Sequence, residues 1–140
     1  MKILVVDGQG GRLGRKLVES IRKLSSEAEI TAVGTNSAAT ENMRKSGAAD
    51  RFATGENAVI TASRRADIIV GPIGIIAIDA MLGEISPAMA NAVASSDAYR
   101  VLIPMNLCDT YIAGVAAGSA ATLEDAMQRI QQYIDGEKDR

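Results

Sequence analysis

The chain has 140 residues, of which 47% are hydrophobic, but only one Phe and three Tyr supply its aromatic content. A length of one domain is enough for a core of Ile, Val, Leu, Met and Ala without disulfide or metal staples. With no histidine and one cysteine (Cys108), internal disulfides, the usual zinc sites and Ser-His or Cys-His catalytic arrangements are excluded. A net charge of −2 argues against nucleic acid as a partner.

The first element is the run Ile3-Leu4-Val5-Val6, a buried strand that leads into four glycines within positions 8 to 14. Met1-Lys2 runs directly into that strand, so no signal peptide is expected. Leu13, Leu17, Ile21 and Leu24 then recur at helical spacing. Strand, glycine turn and helix together suit a phosphate. Glycine lets backbone approach a ligand, and the helix N-terminus presents unpaired N–H groups. Gly8, Gly11 and Gly14 fit G-x-x-G-x-x-G, whereas position 13 of the commoner G-x-G-x-x-G is Leu. The alternative is a turn needed only for strand–helix packing. The candidate binding residues are Gly8, Gln9, Gly10, Gly11, Arg12, Leu13 and Gly14, with Asp7 orienting the loop.

The run Gly8 to Arg15 resembles the nucleotide loop of dihydrodipicolinate reductases, which binds NAD(P)H. That family's catalytic segment uses histidines, so its activity does not transfer. Over nearly its whole length the chain resembles a small uncharacterised bacterial family of stand-alone Rossmann-like proteins. That resemblance rests on Asp7 to Gly11, Ala32 to Asn36, Thr54 to Val59, Gly71 to Ile75 and Leu102 to Pro104. It implies a fold and no assigned reaction.

A second strand over Ala28 to Val33 ends at Thr35, Asn36 and Ser37. In dinucleotide folds an acid at this tip binds the ribose 2′-OH and favours NAD. No acid stands here, and Arg44 or Lys45 could come round to help, which favours NADP or a ligand without that ribose. Asn36 or Ser37 is equally a cap for the next helix, Ala38 to Ser46, which Gly47 stops. Arg51-Phe52-Ala53 is a short third strand. A helix to Arg65 follows, with Thr54 as its cap and Glu56 either facing the cleft or complementing the helix dipole.

Asp67 to Gly71 is a fourth, fully buried strand, followed by Gly71, Pro72, Ile73 and Gly74. In a doubly wound sheet of order 3-2-1-4-5, strands one and four are neighbours, so the two glycine loops should face each other across the crevice. Ile75 to Leu82 reads as a helix, apolar except at Asp79, whose carboxyl would then have a raised pKa. A further helix runs from Pro87 to Ser95, capped by Ser86. The stretch Ile75 to Ser95 divides between core and homodimer surface. Arg100 to Ile103 is a fifth strand with Asn106 near its tip, and Tyr111 to Val115 a sixth, edge strand. Thr122 and Asp125 cap a final helix whose buried stripe is Leu123, Met127, Ile130 and Ile134.

The expectation is one three-layer α/β Rossmann-like domain over 1–140 with a mostly parallel sheet of five to six strands. The protein is expected in the cytoplasm, with no membrane span and no metal. The ligand expected is NADP or NAD. Asp79, Glu84 and Asn106 are the candidate catalytic residues, and Cys108 is a buried structural cysteine. Three functions fit: an NAD(P)-binding protein, including a minimal oxidoreductase completed by dimerisation; a non-catalytic nucleotide sensor or accessory subunit; or an enzyme acting on a phosphorylated metabolite.

Overall fold

The computed structural model describes residues 1–105, 110–115 and 120–137. Five strands, β1 (Lys2–Asp7), β2 (Glu29–Gly34), β3 (Arg51–Thr54), β4 (Ile68–Pro72) and β5 (Tyr99–Ile103), form one sheet in the order β3-β2-β1-β4-β5. All four pairings are parallel, with Val5 opposite Ala32 on one side and Val70 on the other. The helices are α1 (Arg12–Leu24), α2 (Ser37–Arg44), α3 (Glu56–Ser63), α4 (Pro87–Ser95) and α5 (Ala120–Ile134).

The alternation of β1 explains the layers. Ile3 and Val5 face α1, α2 and α5, packing with Leu17, Ile21, Met43 and Ile130. Leu4 and Val6 face the other way, into a second core with Val59, Met89, Ala90 and Val93 from α3 and α4. Both faces are thus covered, which is why the central strands are apolar without alternation. The three-layer Rossmann-like fold and its strand order are those expected. Among the described residues no helix is long and apolar enough to cross a membrane.

Four local expectations fail. Ile75 to Leu82 is not a helix. A 3-10 turn covers Ile73–Ile76, and the chain then folds into turns up to Ile85. Its eight residues lie between glycines and carry no single apolar stripe. Ile75 is buried, whereas Ile76, Ile78 and Leu82 are exposed. A helix this short depends on tertiary contacts, and here those contacts hold a different shape. Asp79 donates its N–H to the Ile85 carbonyl at 2.8 Å, and Ile85 donates to Ala80 at 3.2 Å, closing the segment into a strap.

Residues 111–115 are a turn-containing segment and not a strand, with Gly114 left-handed at φ 81°. Gly55, and not Thr54, occupies the N-cap of α3, because the Thr54 hydroxyl is engaged with that of Thr40 at 2.7 Å. Helix α5 begins at Ala120, so Thr122 lies within its first turn and not at its cap. Its stripe is as expected, with Ile130 buried and Leu123, Met127 and Ile134 packed against the first core.

Candidate functional site

The glycine loop is built around Asp7. This buried residue ends β1, and its two carboxylate oxygens accept the N–H groups of Gly8 at 2.8 Å and Gly14 at 2.7 Å. Burial pushes the Asp7 carboxyl up from 3.8, against the pull of those two N–H bonds, and the nearby Glu84 charge adds to the rise. Two of the glycines are explained by packing alone. Gly11 is left-handed at φ 71°, and a Cβ there would lie 2.6 Å from the Ala39 carbonyl oxygen. A Cβ on Gly14 would lie 2.6 Å from Met43 Sδ and 2.7 Å from Asp7 Cβ, so this glycine sets the close approach of α1 to β1. Gly10 is different. A Cβ there would meet nothing within 4 Å, and its φ is not positive.

The loop leaves donors unclaimed. Gly11 donates to the Gly8 carbonyl at 3.0 Å and Gly14 to Asp7. The N–H groups of Gly10, Arg12 and Leu13 donate to no described residue. The exposed Arg12 side chain makes no ion pair with a described residue. Three unclaimed N–H groups therefore lie at the positive, N-terminal end of α1, in the same stretch as the exposed Arg12.

On the β2 side of this spot stands a carboxylate that the sequence reading did not place there. Glu84, from the strap, accepts the Gln9 N–H at 3.0 Å and the Thr35 hydroxyl at 2.7 Å, together with the Asn36 amide. Burial raises the Glu84 carboxyl, but the hydrogen bonds from Thr35, Gln9 and Asn36 outweigh it and hold it below 4.5. Asn36 also caps α2, its Oδ1 accepting the Ala39 N–H at 2.9 Å, and donates to the Gln9 carbonyl at 3.0 Å. The absence of an acid at this tip is thus corrected. The acid arrives from 49 residues further along the chain than Thr35. Ser37 is the first residue of α2. Arg44 and Lys45 do not come round, since they end α2, about 12 Å along the axis from its cap. Arg44 lies over the Phe52 ring instead.

On the β4 side the two glycine loops do face one another, across a cleft of about 630 Å³ lined by Gly8 to Leu13, Pro72, Gly74 and the strap residues Ala77 to Leu82. Gly71 is not on its wall; a Cβ there would collide with the Val6 carbonyl, so close strand packing explains it. Ile73 is half-buried outside the lining. Asp79 lines the cleft but is exposed on a turn, so the apolar helical surroundings expected for it are absent. Glu56 begins α3, accepts the Ser86 hydroxyl at 2.5 Å and is not among the lining residues. Asn106 and Cys108 lie outside the described residues.

Residues 2–135 match the family described as a domain of unknown function, DUF3842. The chain belongs to the DUF3842 family. No curated protein matches it significantly. Among solved structures it is similar to a dodecameric FMN-dependent Ubix-like decarboxylase from Escherichia coli O157:H7, at 22% identity and a TM-score of 0.48. That match covers 93% of this chain and 76% of the decarboxylase.

In this DUF3842 chain, backbone strain is gathered at the cleft. Among the described residues, the non-glycine positions with left-handed backbone are Gln9 (φ 48°), Asp79 (65°), Met81 (58°) and Leu82 (57°). All four line the cleft. Such conformations cost about 1 to 3 kcal/mol each and persist where the surroundings over-determine them. The rim is apolar, with Leu82 96% exposed beside Ile78 and Met105. The cleft thus joins a floor with unclaimed N–H donors to an apolar lip, while Asp7 and Glu84 are held by hydrogen bonds to the loop and the β2 tip.

Proposed function

We propose that this protein binds a nucleotide or a phosphorylated small molecule, with its phosphate on the N–H groups of Gly10, Arg12 and Leu13. The observation that carries the reading is that these three donors have no described acceptor and belong to residues that line the cleft. Unpaired N–H groups at a helix N-terminus favour an anion through both hydrogen bonding and the helix dipole. Gly10 supports it, because no packing contact or left-handed φ requires glycine there, whereas an approaching phosphate does. The remainder of the ligand lies against Pro72, Gly74 and the apolar strap. NAD and NADP belong to this class, and the position of the cleft between β1 and β4 is where a doubly wound sheet takes such ligands.

Asp7 and Glu84 are both committed as hydrogen-bond acceptors, which favours a binding role, as in a nucleotide sensor or accessory subunit, over acid–base catalysis by either. Thermal-shift titration with NADH, NADPH, AMP, ATP, FMN and ribose 5-phosphate tests the reading. A site filled at 100 times its Kd adds about 2.7 kcal/mol of stability. A rise in Tm with at least one of these supports it, and no shift with any of them at millimolar concentration overturns it.

A further inference from the structure

We propose that Asp79 is the cleft's site for a cationic group of the ligand, so that the preferred ligand is a phosphorylated small molecule that also carries an amino group. The inference rests on the phosphate site proposed above and names what the other end of the same ligand brings.

The cleft holds opposite charges that do not meet. Among the described residues, the charged side chains lining it are Asp7, Arg12 and Asp79. Asp7 is committed to the N–H groups of Gly8 and Gly14. Arg12 and Asp79 form no ion pair, either with each other or with another described residue. Arg12 begins α1, in the stretch whose unclaimed N–H groups suit a phosphate. Asp79 belongs to the facing strap, where its lining neighbours are Ala77, Ile78 and Ala80.

The strap fixes where Asp79 stands without using its carboxylate. Its backbone is left-handed at φ 65°, its N–H donates to the Ile85 carbonyl at 2.8 Å, and its carbonyl accepts the Gly83 N–H at 3.0 Å. A short polar side chain in such a turn commonly bonds to nearby backbone. The Asp79 side chain makes no hydrogen bond to a described residue, so local turn chemistry does not account for it.

An unpaired carboxylate on a cleft wall attracts positive charge and opposes a further phosphate. A divalent metal ion takes several oxygen ligands, and among the described residues no three acidic, His or Cys side chains are grouped to hold one. An ammonium, with its three donors, is satisfied by one carboxylate and water. The apolar side chains of Leu13, Pro72, Ala80 and Met81 line the same cleft and suit the carbon skeleton that joins the two charged ends.

The experiment is titration of the whole protein, followed by amide nitrogen–proton NMR, with matched pairs of phosphate monoesters in which an ammonium replaces a terminal methyl. The pairs are aminoethyl and propyl phosphate, aminobutyl and pentyl phosphate, and aminohexyl and heptyl phosphate. In at least one pair the amine should bind about threefold more tightly or better, the gain expected of a solvent-screened ion pair. Asp79→Asn, which removes the charge and keeps a residue tolerant of left-handed backbone, should abolish that preference. Asp79→Gly serves if the Asn variant does not fold. Amines that bind no better than their methyl partners, or a preference that survives loss of the Asp79 charge, overturn the inference and leave the phosphate site standing. Added magnesium that raises the affinity of pentyl phosphate for the wild type and not for Asp79→Asn overturns it in favour of a metal ion. Binding by no phosphate ligand removes both the inference and the phosphate site.

Discussion

Glu84 and Gln9, 75 residues apart, are joined by a hydrogen bond of 3.0 Å from the Gln9 N–H to the Glu84 carboxylate. That bond ties the strap after β4 to the loop after β1, and the same carboxylate accepts from Thr35 and Asn36 at the tip of β2. The joining of strap, loop and β2 tip therefore depends on one ionised side chain.

The stability of the protein should record that dependence. The Glu84 carboxyl is held below 4.5 in the folded chain, so its contribution is present above that pH and is lost as pH falls through the lower folded value. Glu84→Gln should cost about 1 kcal/mol at pH 7, a figure kept small by solvent screening. Urea titrations from pH 7 to pH 3 should show the difference between wild type and variant shrinking towards zero below pH 4.5. A difference constant with pH would exclude the charge as its source.

Asp7 should respond with the opposite sign. Its carboxyl is raised above 3.8 chiefly by burial, with Glu84 contributing through repulsion. A raised carboxyl favours the fold at low pH, and that contribution is lost as pH rises from 3.8 through the folded value. Glu84→Gln should therefore lower the Asp7 midpoint, followed by its carboxyl carbon shift in NMR titration. An unchanged midpoint would show that the two carboxylates do not sense each other.

The glycines should separate into two kinds. Gly10→Ala should leave Tm unchanged or slightly raised, since its Cβ meets nothing and less chain entropy is lost on folding, yet weaken phosphate binding at least tenfold. Gly11→Ala should lower stability by about 2 kcal/mol or more, because it combines a left-handed φ with a contact of 2.6 Å to backbone. Thermal melts with and without ligand distinguish the two.

Leu82 carries a strained backbone and almost no packing, at φ 57° and 96% exposure. Leu82→Gly removes the left-handed penalty of about 1 to 2 kcal/mol and adds about 0.5 to 1 kcal/mol of chain entropy to overcome, so it should stabilise by up to about 1.5 kcal/mol. A ligand packed under the lip should bind the variant more weakly. Destabilisation in chemical denaturation would show that Leu82 makes contacts that its exposure does not reveal.

The parts legible in the sequence are those set by local pattern. Ile3 to Val6 announce a strand buried on both faces, Ser86-Pro87 announces the start of α4, and Leu13, Leu17, Ile21 and Leu24 announce the face of α1. The facing glycine loops followed from strand order alone. The strap did not: the backbone bonds that close it are local, but it is tied to the rest of the site by bonds from Gln9, Thr35 and Asn36 to Glu84, 48 to 75 positions away, and no window of sequence contains those. The same bonds supply the acid that the β2 tip lacks, so the local reading of Thr35, Asn36 and Ser37 as uncharged was sound for those residues and incomplete for the site. The faint signal was Gly83-Glu84, an acid following a residue free to adopt φ 90°.

The proposed phosphate site is the set of N–H groups of Gly10, Arg12 and Leu13. Its most direct test is an amide nitrogen–proton correlation spectrum of the labelled protein, titrated with AMP, NADH, FMN and ribose 5-phosphate. The resonances of Gly10, Arg12 and Leu13 should shift most, saturating together, and those of Gly11 and Gly14, whose N–H groups are already bonded, should shift less. Saturable binding that leaves those three resonances unmoved would contradict it.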